Sequence, residues 1–69
     1  MNNDIAAGKW KQLLGKVRTA WGKLTDDELT QVEGRAERLV GLAQERYGKT
    51  RDEAGREVRR WFETHGSRH

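Results

Sequence analysis

Apolar side chains recur every three or four residues along most of this chain, and no proline interrupts them. This spacing places them on one face of a helix, and the spacing of a strand is absent. In the first stretch the periodic residues are Trp10, Leu13, Leu14, Val17, Trp21 and Leu24. The pattern predicts an amphipathic first helix that ends near Gly22, and with it an all-α fold.

Two capping boxes divide the remainder of the chain. Thr25 is followed three residues later by Glu28, and Thr50 by Glu53, which is the signature of a helix N-terminus. The first box opens a short helix that buries Leu29 and Val32; a third helix buries Ala36, Leu39, Val40, Ala43 and Tyr47; and the last buries Ala54, Val58, Trp61 and Phe62. We therefore expect a compact bundle of four to five short helices.

The chain also has an internal similarity. When residues 8–23 are shifted by 26 positions, Gly8, Leu13, Gly15, Gly22 and Lys23 align with Gly34, Leu39, Gly41, Gly48 and Lys49. This predicts a helix–turn–helix pseudo-repeat.

Glycines recur at intervals of seven residues, first at 8, 15 and 22 and then at 34, 41, 48 and 55. Gly22 and Gly48 have the positions of helix C-caps, and Gly34 interrupts the chain. For the glycines inside helices, close helix packing within the domain is the favoured interpretation. The alternative is a smooth face for close approach to another helix, a membrane or a nucleic-acid backbone.

With 69 residues and no cysteine, the chain has room for one domain and no disulfide to stabilise it. We expect a single domain over residues 1–69, with frayed ends at 1–5 and 66–69. The N-terminal residues lack the basic and apolar regions of a signal peptide, and no apolar run is long enough for a transmembrane segment, so a cytoplasmic location is expected.

No pattern for catalysis or for a cofactor is present. The sequence contains neither a phosphate-binding loop nor a dinucleotide fingerprint, and its one serine, Ser67, lies in the tail. Asp26, Asp27 and Glu28 are explained by helix capping better than by cation binding. His65 and His69 are explained by a solvated tail better than by a metal site. We therefore expect no enzyme, no cofactor, no metal and no small-molecule substrate.

The remaining candidates for a binding site are basic and aromatic residues. Residues 1–24 carry five bases against one acid, a charge of +4, whereas residues 25–69 carry nine bases against ten acids. The candidate phosphate-contacting residues are Lys9, Lys11, Lys16, Arg18, Lys23, Arg51, Arg56, Arg59 and Arg60. The favoured alternative is a solvated face on which Glu53, Glu57 and Glu63 pair with the arginines of the last helix. Trp10 and Trp21 are interpreted as core residues rather than as anchors at a membrane interface.

A resemblance to a known family covers most of the chain. It rests on Trp10-Lys11-Gln12, Gly15-Lys16-Val17, Trp21-Gly22-Lys23-Leu24-Thr25-Asp26-Asp27, Glu33-Gly34-Arg35, Leu39-Val40-Gly41, Gln44-Glu45-Arg46-Tyr47-Gly48, Glu57-Val58 and Trp61. In this combination the chain resembles the CsbD-like proteins, and within them the YjbJ branch. The departures are Leu42, where the family usually has lysine, and Ala36, where a charged residue is common.

The resemblance implies a bacterial general stress response protein with a SAM-like helical fold and no established biochemical activity, and it carries over no site residues. The leading hypothesis is a non-enzymatic stress-response protein that binds or protects macromolecules. Two alternatives stay open: a small nucleic-acid-binding module, and a peripheral protein of anionic membranes. The partner, whether nucleic acid or another protein, is left undecided.

Overall fold

Four helices make up the part of the chain that the computed structural model describes, residues 4–65. They are α1 (Ala7–Ala20), α2 (Asp26–Val32), α3 (Ala36–Tyr47) and α4 (Arg51–His65). No strand occurs within these residues. The Cα radius of gyration is 10.8 Å, which matches the roughly 11 Å of a compact domain of this length. The predicted all-helical, compact architecture is confirmed, with four helices.

The core gathers the apolar faces of all four helices. Trp10 lies at its centre with 2% of its surface exposed, and its indole N–H donates a hydrogen bond of 2.8 Å to the carbonyl of Leu29. Its ring centroid lies 5.7 Å from that of Phe62. The buried hydrophobic residues are Ile5, Trp10, Leu13, Val17, Trp21, Leu24, Leu29, Val32, Leu39, Ala43, Ala54, Val58 and Phe62. The interpretation of Trp10 and Trp21 as core residues is confirmed.

Both predicted capping boxes are present. The Thr25 hydroxyl accepts from the backbone N–H of Glu28 at 3.1 Å, and the Glu28 carboxylate accepts from the backbone N–H of Thr25 at 3.1 Å. Thr50 and Glu53 repeat this exchange with the same distances. These bonds satisfy N–H groups that a helix N-terminus leaves without partners. They fix where α2 and α4 begin.

The prediction that α1 ends near Gly22 is confirmed, but the prediction that Gly22 is its C-cap is wrong. The helix stops at Ala20 with Trp21 as its C-cap, and Gly22 does not adopt the left-handed conformation of a capping glycine. Trp21 leaves the helix and packs edge-on against Trp61, with 5.7 Å between ring centroids. Burial of this large ring decides the position of the helix end, because a buried aromatic residue contributes more than a glycine cap. At Gly48, by contrast, φ is +65° and the predicted C-cap is confirmed.

Asp4 and Ile5, two of the residues expected to be frayed, are instead held in the fold. Ile5 is buried, and its backbone N–H donates to the carbonyl of Gly34 at 2.7 Å. The Asp4 carboxylate accepts from the backbone N–H of Ala36 at 3.0 Å and so caps α3 from a distance in sequence. Burial of Ile5 and these two bonds tie the segment to the α2–α3 junction. Residues 1–3 and 66–69 lie outside the described part.

His65 belongs to α4 and not to a solvated tail. Its ring stacks on that of Trp61 with 4.2 Å between centroids, and its Nδ1 lies 3.2 Å from the Trp61 carbonyl oxygen. Stacking on an aromatic ring four residues earlier extends the helix by one turn beyond the last core residue. His69, which was considered together with His65 as a metal site, lies outside the described residues.

Candidate binding surfaces

The outward face of α1 is basic throughout its length. The 14 residues of this helix include Lys9, Lys11, Lys16 and Arg18 but no aspartate or glutamate. At 3.6 residues per turn, Lys9 and Lys16 follow one edge of the outward face, and Lys11 and Arg18 follow the other. The two members of each row are about 10.5 Å apart along the axis. We call this face, with its two rows of cations, the basic face of α1.

Most of the basic face has no carboxylate partner. Arg18 pairs with Asp26 at 2.8 Å, and both side chains remain more than half exposed. Lys9, Lys11 and Lys16 are exposed and form no ion pair with any residue in the 4–65 range. These three lysines are therefore accessible to an external anion.

Lys23 lies apart from the basic face, beyond the end of α1. Its backbone N–H donates to the Tyr47 hydroxyl at 3.1 Å, and its ammonium lies 5.3 Å from the centroid of the Tyr47 ring. A cation over an aromatic face is held by the ring quadrupole. Of the predicted phosphate-contacting residues, Lys23 is thus engaged within the fold.

The four arginines of α4 are exposed, as the favoured prediction of a solvated face requires, but none of them forms the predicted ion pair with a glutamate of the same helix. The Glu53 carboxylate is occupied by the backbone N–H of Thr50, and Glu57 pairs with Lys49 at 2.8 Å. The hydrogen bond from the backbone N–H of Thr50 lowers the pKa of Glu53, and the charge of Arg56 helps to lower it further. Glu57 raises the pKa of Lys49. The arginines without an ion pair among the described residues are Arg51, Arg56, Arg59 and Arg60.

Nevertheless α4 is less basic than α1. Its four arginines are balanced by four acids, Asp52, Glu53, Glu57 and Glu63. The predicted residues therefore fall on two helices, each with its inner side in the shared core. The fold brings together Lys9, Lys11, Lys16 and Arg18. Of the α4 arginines, Arg51, Arg56 and Arg59 lie beside α3, and Arg60 lies beside Trp21 at the end of α1.

An acidic groove between α2 and α3 was not recognised in the sequence. It has a volume of about 530 Å³, with Val32, Gly41 and Leu42 among the residues that line it. Its carboxylates are Glu28, Glu33, Glu37 and Glu45, and Arg38 is its one lining cation. We call it the α2–α3 groove. Residues 25–49 carry six acids against four bases, a charge of −2, which is the signal that would have indicated it.

Ion pairs engage some of the groove's carboxylates. Glu28 accepts from Thr25 and pairs with Arg46, and these contacts lower the pKa of Glu28 and raise that of Arg46. Glu33 pairs with Arg38 at 3.0 Å, and Glu45 lies 3.8 Å from Arg46. Glu37 has no ion pair among residues 4–65.

The cluster of Asp26, Asp27 and Glu28 has a structural explanation. It forms the first turn of α2, where negative charge is favoured, and two of its members hold partners within the fold. Within residues 4–65 no group of three or more histidine, cysteine or acidic side chains is placed to hold a metal ion.

The tryptophans considered as membrane anchors are not at the surface. Trp10 and Trp21 are 2% and 5% exposed, and they are therefore not accessible as membrane anchors. None of the described helices has the length and apolar character needed to cross a membrane.

The glycines inside helices do not serve close packing within the domain, so the favoured interpretation is wrong for them. A Cβ atom built at Gly8, Gly15, Gly41 or Gly55 meets no neighbouring atom within 4 Å. Gly8 and Gly15 lie between the two rows of cations on α1, and Gly41 lies on the exposed side of α3. The alternative, a smooth face open to an external partner, is the one consistent with this geometry.

The chain is similar to bacterial proteins of one family. A family model described as CsbD-like matches residues 4–56. A UPF0337 protein of Bordetella pertussis is 71% identical over 63 residues, which is 91% of this chain and 96% of the relative. The UPF0337 protein YjbJ of Escherichia coli O6:H1 is 53% identical over 68 residues, or 99% of each chain. YjbJ of Escherichia coli K12 is 56% identical over 61 residues, 88% of each chain.

Proposed function

Because the chain belongs to the CsbD-like family, we propose that it is a non-enzymatic bacterial stress-response protein that binds other macromolecules through the basic face of α1. The stress-response setting rests on the family resemblance. The binding role rests on one observation, the three exposed lysines of α1 that have no carboxylate partner among the described residues. Side chains that are cationic, accessible and closely spaced are what a polyanion requires.

Nucleic acid is the polyanion we favour. Phosphates recur along a nucleic-acid backbone, and Lys9, Lys11 and Lys16 offer ammonium groups in two rows along one helix. Gly8 and Gly15 leave open space on the surface between the rows, beside the exposed side chains of Gln12 and Thr19, so the backbone of the ligand has room to approach the helix at the glycines. Contacts of this kind carry no base specificity, which suits a protective role.

An anionic membrane is the weaker alternative. Peripheral helices hold to lipid by burying an apolar face below the headgroups. The apolar face of α1 is in the core, and its outward face carries glycine, glutamine, threonine and bases. Attachment would have to be electrostatic alone.

Fluorescence anisotropy with a labelled duplex of mixed sequence tests the proposal. The variant Lys9→Gln/Lys11→Gln/Lys16→Gln removes three charges from α1, and Arg56→Gln/Arg59→Gln/Arg60→Gln removes three from α4. We expect the α1 variant to weaken binding and to reduce the salt slope by up to about 2.7, at about 0.9 per lost phosphate contact. The α4 variant, with the same net charge, is the matched control. Equal losses in both variants, or binding of wild type that salt does not weaken, would contradict the proposal.

The proposal also includes the detailed arrangement of the four helices and the location of the protein. We infer a SAM-like arrangement and a helix–turn–helix repeat, since two helices each followed by a Gly-Lys pair and a capped helix occur in succession. Residues 1–69 are proposed to be a single domain in the cytoplasm. A solved structure of the isolated chain, superposed on itself after a shift of 26 residues, would test the repeat.

A further inference from the structure

We propose that this chain associates with itself, with the basic face of α1 of one copy docked in the α2–α3 groove of another. The inference goes beyond the proposed function and does not depend on it. It assigns a role to the α2–α3 groove, which has none in polyanion binding, and the occupant of the groove is the basic face of α1 from a second copy of the same chain.

Charge complementarity is the first argument. The basic face of α1 has four cations and no acid, and three of the four lack an ion pair within residues 4–65. The α2–α3 groove has four carboxylates and one lining arginine, and Glu37 is the carboxylate that has no ion pair among the described residues. Glu37 and Glu45 lie on either side of Gly41, one turn before it and one turn after it. The cations of α1 lie on both sides of Gly8 and Gly15, and the carboxylates of α3 lie one turn before and one turn after Gly41, so opposite charges meet where the two helices cross at their glycines.

Shape is the second argument. The outward faces of both helices are open at their glycines, because a Cβ at Gly8, Gly15 or Gly41 would meet nothing within 4 Å. Two helices approach more closely where their contact lacks side chains. The lysine stems are apolar below their ammonium groups. They would cover Leu42, which is apolar and partly buried in the groove wall.

The fit of α1 as the segment that occupies the α2–α3 groove is the third argument. The groove fits a helix with cations on both edges and open space between them. On α1 that space lies at Gly8 and Gly15, beside the polar side chains of Gln12 and Thr19. At 14 residues α1 is about 21 Å long, which is enough to span α3 with its 12 residues. Exposed ion pairs each contribute little and are screened by salt. The association is therefore weak and sensitive to salt.

Sedimentation equilibrium of the full chain, up to about 1 mM, measures this association, since a contact with a millimolar dissociation constant is half formed there. Two charge-reversal variants separate the surfaces: Lys11→Glu/Lys16→Glu on α1, and Glu37→Lys/Glu45→Lys on α3. All four side chains are exposed, so both variants should fold, which circular dichroism checks. We expect each variant alone to raise the dissociation constant at least about tenfold.

Mixing the two variants is the decisive step. The α1 variant keeps its groove and the α3 variant keeps its basic face, so a 1:1 mixture should form a pair that neither variant forms alone. A third variant, Gly41→Gln, places a side chain in open space and in the path of the docked helix. It should weaken association while the fold stays at least as stable, because glutamine is a better helix former than glycine.

Several results would overturn the inference: a wild-type chain that stays monomeric throughout, association that both reversals leave unchanged, or a mixture that does not pair. Duplex binding distinguishes this inference from the proposed function. The α3 variant should bind DNA at least as well as wild type, and the α1 variant should lose both activities.

Discussion

Gly34 occupies the most constrained backbone position among the described residues. Its φ is +80°, and a Cβ there would lie 2.0 Å from the carbonyl oxygen of Ile5. A side chain would therefore strain the turn and also push away the N-terminal segment that Ile5 anchors through its hydrogen bond to Gly34. The residue is required by both conformation and space.

We expect Gly34→Ala to cost about 3–5 kcal/mol of unfolding free energy, from left-handed strain and from displacement of buried Ile5. Gly48→Ala is the matched control, because Gly48 has a φ of +65° and no atom within 4 Å of the added Cβ. It should cost about 1–2 kcal/mol. Urea unfolding followed by circular dichroism measures both. Equal losses of unfolding free energy in the two variants would show that the contact with Ile5 does not contribute to stability.

The capping glutamates respond to pH. The backbone N–H of Thr25 and the guanidinium of Arg46 lower the pKa of Glu28, and the backbone N–H of Thr50 lowers the pKa of Glu53. A carboxyl whose pKa is lower in the folded state stabilises the fold at pH above its unfolded value, about 4.3. That contribution is lost as pH falls through the folded pKa. We expect unfolding at acid pH to be less steep in Glu28→Gln/Glu53→Gln.

Carboxyl NMR titration provides the direct measurement. Glu28 and Glu53 should titrate at lower pH than the same residues in an unfolded peptide. Glu63→Gln is the control variant for the stability curves, because Glu63 is exposed and caps no helix. Identical acid-unfolding curves for the capping variant and wild type would contradict the assignment.

At the scale of elements, the glycines inside helices lead to a prediction about stability. Gly8, Gly15 and Gly41 lie inside helices with free space around the missing side chain. Each replacement by alanine should therefore stabilise the chain, by up to about 1 kcal/mol in the interior of a helix. Thermal unfolding of the single variants tests this. A loss of stability at Gly15 or Gly41 would restore the interpretation of close packing within the domain.

How much of each element was predictable depends on the range of the interactions that set it. The capping boxes at Thr25 and Thr50 are local patterns, and the structure confirms both. The C-cap of α1 was not predictable in this way, because Trp21 leaves the helix to meet Trp61, which is forty residues away in sequence. The burial of Ile5 depends likewise on Gly34 and had no signal in its own segment.

The candidate surfaces, likewise, were predictable only where a single segment of the sequence determines them. The basic face of α1 was predictable, since helical spacing and the absence of acids are both written in one segment. The pairing on α4 was not: spacing alone suggested Glu57 as a partner for arginines, but Lys49, from the preceding turn, holds it. The α2–α3 groove needed two helices in contact before its carboxylates could be seen as one surface.

At the scale of the whole molecule, charge is separated along a small fold. Residues 4–24 carry five bases and one acid, and residues 25–49 carry four bases and six acids, so charges of +4 and −2 lie on neighbouring parts of one structure. The net charge of +3 alone would attract a polyanion to the folded and unfolded chains alike. Only the folded chain aligns the lysines of α1 in two rows.

Linkage between binding and folding therefore tests whether arrangement, rather than net charge, attracts the ligand. A ligand specific to the folded state at ten times its dissociation constant adds about 1.4 kcal/mol of stability, which raises the midpoint of a chain this size by about 6–11 °C. We expect that rise with duplex DNA at about 0.05 M salt and its loss at about 0.5 M. It should also be lost in Lys9→Gln/Lys11→Gln/Lys16→Gln and be retained in Arg56→Gln/Arg59→Gln/Arg60→Gln. An unchanged wild-type midpoint despite measurable binding would mean that the unfolded chain binds equally well, and that the rows of α1 are not what the ligand recognises.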